Sequence, residues 1–176
     1  MDILVKLKSV VFICGFVAVL GLDFGGGTPV HISTGAAALA YALVLGKRKD
    51  PKDKPPHNMT HVVLGTSFIW FGWLVANAGS GLKPNLRATV VFVTTNLSAS
   101  VGGIVWALMD YRHERKFSAF GFCCGAICGL VAVTPASGYI TPSSSIVFGA
   151  AGAIVCNLCL GFKKWVRIDD AFDVSQ

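Results

Sequence analysis

Long apolar blocks separated by short polar segments constrain the fold of this chain more than any other feature of its sequence. A helix that spans a bilayer needs about 20 predominantly apolar residues, and most of the blocks are close to that length. Only helices and closed barrels satisfy every backbone polar group in hydrocarbon, and the blocks lack the two-residue alternation of barrel strands. The sequence therefore predicts an all-α, polytopic transmembrane helix bundle with five or six membrane helices. The blocks cover residues 3–22, 29–46, 61–79, 88–109, 118–134 and 146–162.

The distribution of charge supports a membrane protein and gives it an orientation. Only 14% of the residues are charged, against about 25% in an average soluble domain. Thirteen of the fifteen Lys and Arg residues lie at the amino terminus, in the 47–60 and 110–117 loops and in the carboxyl-terminal tail. The positive-inside rule predicts that these segments are cytoplasmic. Because topology accounts for the net charge of +6, we expect no nucleic-acid partner.

Residues 22–35, LDFGGGTPVHISTG, contain the ionisable groups that most need an explanation. Asp23 precedes three glycines and a proline, a composition that suits the start of a helix. We predict that a membrane helix begins near Thr28 or Pro29, with Asp23 beside the positive end of its dipole. His31 then lies in the first turns of this helix. An ionisable side chain in or near hydrocarbon is costly, so His31 is a candidate functional residue.

Two kinds of residue within the blocks predict tight helix packing. Gly121, Gly125 and Gly129 recur every four residues, a spacing that lets helix backbones approach closely. The 88–109 block carries polar side chains that we expect to point toward other helices, either to form hydrogen bonds or to line a polar path. These are Thr94, Thr95, Asn96, Ser98 and Ser100.

The reactive side chains do not form a recognisable enzyme or metal site. All six cysteines fall within apolar blocks, where a free cysteine packs as a small hydrophobic residue. Cys156 and Cys159 have a redox or metal-binding spacing but lack a second pair or a nearby histidine, so we interpret them as packing residues. The acidic cluster at residues 169–173 is interpreted as a solvated tail. Without a nucleophile–base pair or a phosphate loop, we expect no enzymatic activity, metal or cofactor.

Four ordered motifs together resemble the ammonium transporter (Amt/Mep/Rh) family, and in particular its fungal Mep branch. They are LDFGGGTPVHISTG at 22–35, FGWLVANAGS at 71–80, GFCCGAICGLVAVTPASGYI at 121–140 and RIDDAFDV at 167–174. The resemblance implies a fold of eleven spans, built from two inverted halves and a last helix, of which this chain matches the fifth to ninth. It also implies transport of ammonium or ammonia in the plasma membrane by a homotrimer, or in association with full-length family members.

The resemblance assigns four residues to the substrate path. Asp23 matches the acid near the outer mouth of the family's pore. Capping of the following helix is an alternative role for Asp23, and the two roles are compatible. Ser80 matches the serine that hydrogen-bonds ammonium at the outer site, and Trp73 matches a tryptophan that lines the pore below the gate. His31 matches the first of two pore histidines, whose neutral rings donate from one nitrogen and accept at the other.

Three departures from the family pattern qualify this expectation. Gly25 stands where the family usually has alanine, and Ala76 stands where it usually has the second phenylalanine of the outer gate. The resemblance ends at residue 174, just before the span that carries the second pore histidine. We therefore predict a truncated family member that does not carry ammonium alone at a family-like rate. The alternatives are a non-transporting interaction subunit of full-length transporters and a degenerate fragment.

The predicted organisation has three parts. Residues 1–22 form a divergent amino-terminal apolar segment, which we interpret as a first or partial span rather than a signal peptide. Residues 23–162 form a partial membrane domain of the transporter type, and residues 163–176 form a cytoplasmic tail.

Overall fold

Five helices make up the part of the molecule that the structure, a computed structural model, describes. It describes residues 22–46 and 56–166, without the side chains of residues 114 and 161–166. The helices are α1 (Gly27–Leu45), α2 (Met59–Gly79), α3 (Leu86–Glu114), α4 (Ala119–Val133) and α5 (Pro142–Val166). They coincide with the last five apolar blocks, and no strand occurs in the described ranges, so the predicted all-α bundle is confirmed. Residues 3–21 of the first apolar block, most of the 47–60 loop and the tail from residue 167 lie outside the described residues.

Side-chain caps begin three of the helices close to where the apolar blocks start. The side-chain oxygens of Asn58 and Asn85 accept hydrogen bonds from backbone amides three residues later, at 3.2 and 3.0 Å. Ser118 Oγ accepts one from Gly121 N at 3.0 Å. Because the first amides of a helix have no partner within it, these caps fix where α2, α3 and α4 begin.

By length and composition, α1, α2, α3 and α5 are each able to cross a membrane, whereas α4 is shorter. The 15 residues of α4 give about 22 Å of helix, less than a hydrocarbon core of about 30 Å. Pro135 follows closely and has no backbone N–H with which to continue the helical ladder. The chain continues instead in turns, with hydrogen bonds from Ala136 N to Val133 O and from Tyr139 N to Ala136 O.

Helices α3, α4 and α5 form a tightly packed core, and glycine allows their close approach. A methyl group on Gly102 would collide with the carbonyl oxygen of Gly125, and a methyl group on Gly125 would collide with that of Gly102. Methyl groups on Gly129 and Gly149 would both collide with the carbonyl oxygen of Ser98. The close packing predicted from the glycine repeat is therefore confirmed.

The polar side chains of α3 bond mainly to other elements. Thr95 and Asn96 accept hydrogen bonds from side chains of α2, at 3.2 and 3.1 Å. Thr94 donates to a carbonyl of the turn after α4 at 3.2 Å, and Ser98 donates to a carbonyl of α4 at 2.8 Å. Ser100 instead donates to a carbonyl of α3 itself. Hydrogen bonding between elements therefore accounts for four of the five, and none of them lines the cavity described below.

The segment before α1, the first turn of α3 and the segment after α4 meet at one end of the bundle. Phe24 N donates to Pro135 O at 2.8 Å, and Arg87 Nε donates to Gly138 O at 2.9 Å. The carboxyl end of α3 lies at the opposite end of that helix. The grouping agrees with the charge distribution, which predicts that the 47–60 and 110–117 loops lie together on the other side of the membrane. We refer to the end of the bundle that holds Phe24, Arg87 and Gly138 as the Arg87 end.

Candidate functional site

Residues 23–27, the glycine loop, lead into α1 and hold its first turn. Asp23 Oδ1 accepts a hydrogen bond from Gly27 N at 3.1 Å, and its Oδ2 accepts one from Thr28 N at 2.9 Å. Gly26 occupies the N-cap position with φ of +70°, a left-handed conformation that glycine adopts without steric penalty, and it has no side chain with which to cap. Asp23 therefore caps the helix from upstream, beside the positive end of its dipole. The helix begins at Gly27, immediately before the predicted start.

The glycine loop packs directly against the turn that follows α4. Methyl groups built on Gly25 and Gly27 would each lie 2.8 Å from Thr134 Cγ2. Carbon atoms in favourable contact are about 3.5–4.0 Å apart, so neither position has room for a side chain unless its neighbours move. At Gly25, where the family usually has alanine, this chain lacks the methyl group that would meet Thr134.

Arg87 contacts both the glycine loop and the turn after α4. Its guanidinium carbon lies 4.9 Å from the ring centroids of both Phe24 and Tyr139, and these two rings meet edge to face at 5.9 Å. A guanidinium over an aromatic face is attracted by the ring quadrupole. With the hydrogen bond from its Nε to Gly138 O, Arg87 joins α3, the glycine loop and the turn after α4.

His31 extends from the second turn of α1 and contacts α2. Its ring stacks on Trp73, with 5.3 Å between the centroids and 28° between the planes. Its Nε2 atom is buried and has no hydrogen-bond partner among the described residues. His31, Trp73, Ala76 and Gly27 are among the residues that line a cavity of about 300 Å³. Since buried polar atoms in native proteins nearly always have a partner, a free ring nitrogen on a residue of this cavity is suited to a small polar ligand.

Thr134 connects Trp73 to the core through a set of hydrogen bonds. Its Oγ1 atom accepts from Trp73 Nε1 at 2.8 Å and from Asn77 Nδ2 at 3.4 Å, and it donates to Leu130 O at 2.7 Å. Asn77 also donates to Thr95 Oγ1 at 3.2 Å. Thr134 and Asn77 both line the cavity, and the sequence analysis did not identify either as a site residue. A polar residue placed directly before the proline that ends an apolar block is the signal that points to Thr134.

The four residues predicted for the substrate path occupy different positions relative to this cavity. His31 and Trp73 line it, and Asp23 holds the loop whose glycines form part of its wall. Ser80 does not line it. Ser80 is exposed at the end of α2, where its hydroxyl donates to the Ala76 carbonyl at 2.9 Å.

Comparison with known proteins identifies the family. The model of the Ammonium Transporter Family matches residues 4–176. The chain is 52% identical over 154 residues to Ammonium transporter 1 of Schizosaccharomyces pombe. This alignment covers 86% of this chain and 31% of that protein. The chain is 45% identical over 155 residues to Ammonium transporter MEP3 of Saccharomyces cerevisiae, which covers 87% of this chain and 32% of that protein. The crystal structure of Saccharomyces cerevisiae Mep2 is similar, with a TM-score of 0.80 and 42% identity over 91% of this chain and 38% of that chain.

These matches agree with the order of the four sequence motifs and with the arrangement of the helices. The chain spans about a third of the length of the curated relatives that it matches. Helices long and apolar enough to cross a bilayer are what a membrane transporter of this kind requires. The chain belongs to the Ammonium Transporter Family, a family of transporters, and is an integral membrane protein.

Proposed function

We propose that this protein contributes to a path for ammonium or ammonia across the plasma membrane, and that His31 lines that path. The observation that carries the proposal is the His31 ring, which stacks on Trp73 beside the cavity while its buried Nε2 atom has no partner among the described residues. A neutral imidazole donates from one nitrogen and accepts at the other. A free ring nitrogen is therefore able to exchange a hydrogen bond with ammonium or ammonia.

Trp73 and Ser80 supply surfaces that compensate a cation for lost water. A cation over the face of tryptophan gains about 0.5–2 kcal/mol, which offsets part of its lost hydration. Ser80 Oγ donates a hydrogen bond to Ala76 O, and its lone pairs can accept a hydrogen bond from an N–H of ammonium. In this proposal ammonium binds first at exposed Ser80 and then reaches Trp73 and His31.

Asp23 acts through the glycine loop and not by touching the substrate. Both of its carboxylate oxygens accept hydrogen bonds from the first amides of α1. Gly25, Gly26 and Gly27 form part of the cavity wall. The carboxylate therefore keeps that wall in place, and its negative charge favours a cation at the mouth of the cavity.

In this proposal the remaining wall of the path comes from outside the described residues. Much of the apolar surface of α1 is exposed, including Val30 at 53% and Tyr41 at 66%. The side chain of Ala76 is too small to cover the cavity from α2. Apolar helix faces of this kind pack against lipid or against other helices. The assemblies that we propose are a homotrimer or a complex with full-length family members, within the bilayer.

A non-transporting interaction subunit is the second candidate function. It is favoured by Ala76, which lacks the aromatic ring of the family's outer gate, together with the exposed faces of α1 and α2. In this alternative the chain changes the activity of a full-length transporter without using His31.

Growth on limiting ammonium tests the proposal in cells that lack their own ammonium transporters. The chain is expressed alone and beside a full-length family transporter with an inactivated pore, in each case as wild type, as His31→Ala and as the matched control His61→Ala. His61 is exposed on α2 and does not line the cavity.

We expect no rescue by the chain alone, and rescue beside the inactivated transporter that His31→Ala abolishes and His61→Ala preserves. Rescue by the chain alone that requires His31 would support the path and contradict the expected inactivity of the isolated chain. Absence of rescue in every combination, with the protein present in the membrane, would overturn the proposal. Rescue that survives His31→Ala would favour the interaction subunit.

A further inference from the structure

We propose that Thr134 is a positioning residue for the substrate path, holding Trp73 in its stack on His31 with its hydroxyl and the glycine loop in place with its methyl group. This inference rests on the proposed function, because it concerns the same cavity. It adds a residue that lines the cavity but acts through Trp73 and the glycine loop, and that joins α1, α2 and α4.

The hydroxyl of Thr134 has no capacity left for a ligand. A threonine hydroxyl donates one hydrogen bond and accepts two. Thr134 Oγ1 donates to Leu130 O and accepts from both Trp73 Nε1 and Asn77 Nδ2. The residue is only 3% exposed. Thr134 therefore acts through Trp73, whose indole N–H finds its acceptor here.

The methyl group of Thr134 lies against the glycine loop. Its Cγ2 atom is the closest atom to the methyl groups that would be built on Gly25 and Gly27, at 2.8 Å from each. Hydroxyl and methyl share one Cβ atom, and a β-branched side chain has few allowed χ1 rotamers. A rotation that released Trp73 would also move the methyl group away from the glycine loop, so the two contacts are linked.

Three variants separate these two contacts. Thr134→Val keeps the branched shape and removes the hydroxyl, whereas Thr134→Ser keeps the hydroxyl and removes the methyl group. Thr94→Val is the matched control, because Thr94 is equally buried and its hydroxyl bonds to backbone carbonyls, but it does not contact Trp73.

The first measurement is the indole N–H resonance of Trp73 in the full chain in detergent micelles, assigned by its disappearance in Trp73→Phe. We expect Thr134→Val to shift this resonance, and Thr134→Ser and Thr94→Val to leave it near the wild-type position. This readout does not depend on transport, so it separates failure of this inference from failure of the proposed function. An unchanged resonance in Thr134→Val, or an equal shift in Thr94→Val, would overturn the role of the hydroxyl.

The second measurement is ammonium uptake in the assembly that supports it. We expect Thr134→Val to lower the maximal rate on the order of tenfold while the half-saturating concentration stays unchanged, since the partly buried indole N–H of Trp73 loses its acceptor. In a Trp73→Phe background the same substitution should have almost no further effect, because coupled residues are not additive. Full additivity of the two substitutions would contradict action through Trp73.

The methyl contact has its own test, which also serves if Thr134→Val does not fold. We expect Gly25→Ala to lower the melting midpoint of the wild-type chain, and to lower it less in the Thr134→Ser background, where the nearest colliding carbon is gone. An equal loss in both backgrounds would overturn the role of the methyl group.

Discussion

The α3–α5 core and helix α1 are held in place by different kinds of contact. In the core, glycines bring the helix backbones so close that an added methyl group at Gly129 would collide with the Ser98 carbonyl. In α1, by contrast, Gly27 is the only buried residue. The attachment of α1 consists of the glycine loop, the Asp23 cap and the contact between His31 and Trp73.

The contrast separates a structural role from a functional one. We expect the core to lose stability where an added methyl group would meet a backbone atom of a neighbouring helix, because packed backbones cannot move apart easily. Helix α1 depends instead on a few polar contacts at one end, and those contacts also build the wall of the cavity. The candidate site therefore lies where α1 meets the rest of the bundle, and its geometry depends on hydrogen bonds and ring contacts.

The largest expected effect is in the core. Gly129→Ala should destabilise the protein by about 3 kcal/mol or more and greatly reduce the yield of monodisperse protein, because the methyl group meets a backbone carbonyl. Gly65→Ala is the matched control, since a methyl group there meets nothing within 4 Å. It should be neutral or stabilise α2 by about 0.5–1 kcal/mol. Melting midpoints in detergent compare the two, and equal midpoints would break the account of the core.

An intermediate effect is expected at Asp23. Asp23→Ala leaves the amides of Gly27 and Thr28 without acceptors, at a cost of about 1–3 kcal/mol. The loss should be local, so hydrogen exchange should accelerate in the first turn of α1 and remain slow in α4. Unchanged exchange in α1, together with unchanged yield and stability, would contradict the capping role of Asp23.

A smaller effect is expected at Arg87. Arg87→Lys keeps the positive charge but loses the planar group that lies over Phe24 and Tyr139, so stability should fall by about 0.5–1 kcal/mol. Lys83 is exposed in the loop that precedes α3, and Lys83→Gln should have no measurable effect. If the two variants melt at the same temperature, Arg87 does not fasten the glycine loop.

The helices were predictable because the bilayer restricts what an apolar block can become. The start of α1, to within one or two residues, and the close approach of the glycine-containing helices followed from residue type and spacing alone. Motif resemblance also identified His31 and Trp73, which lie together at the cavity. The resemblance also assigned Ser80 to the substrate path, but Ser80 is exposed at the end of α2 and does not line the cavity.

The contacts of Thr134 could not be derived in the same way. Its hydrogen bond to Trp73 joins residues 61 positions apart, and its methyl contact with the glycine loop depends on how α1 enters the bundle. The sequence likewise gave no reason for Ser100 to bond within its own helix while its neighbours bond across helices. Such partners are decided by the packing of whole helices and not by local pattern.

Titration of the full chain in detergent micelles with ammonium chloride, at constant pH, tests most directly whether ammonium contacts the cavity. The imidazole resonances of His31, assigned with His31→Ala, are followed, and sodium chloride at the same ionic strength is the control. We predict a saturable shift at His31 with ammonium and none with sodium, while exposed His61 stays unchanged. An unmoved His31, or equal shifts at His31 and His61, would contradict the assignment of this cavity to the ammonium path.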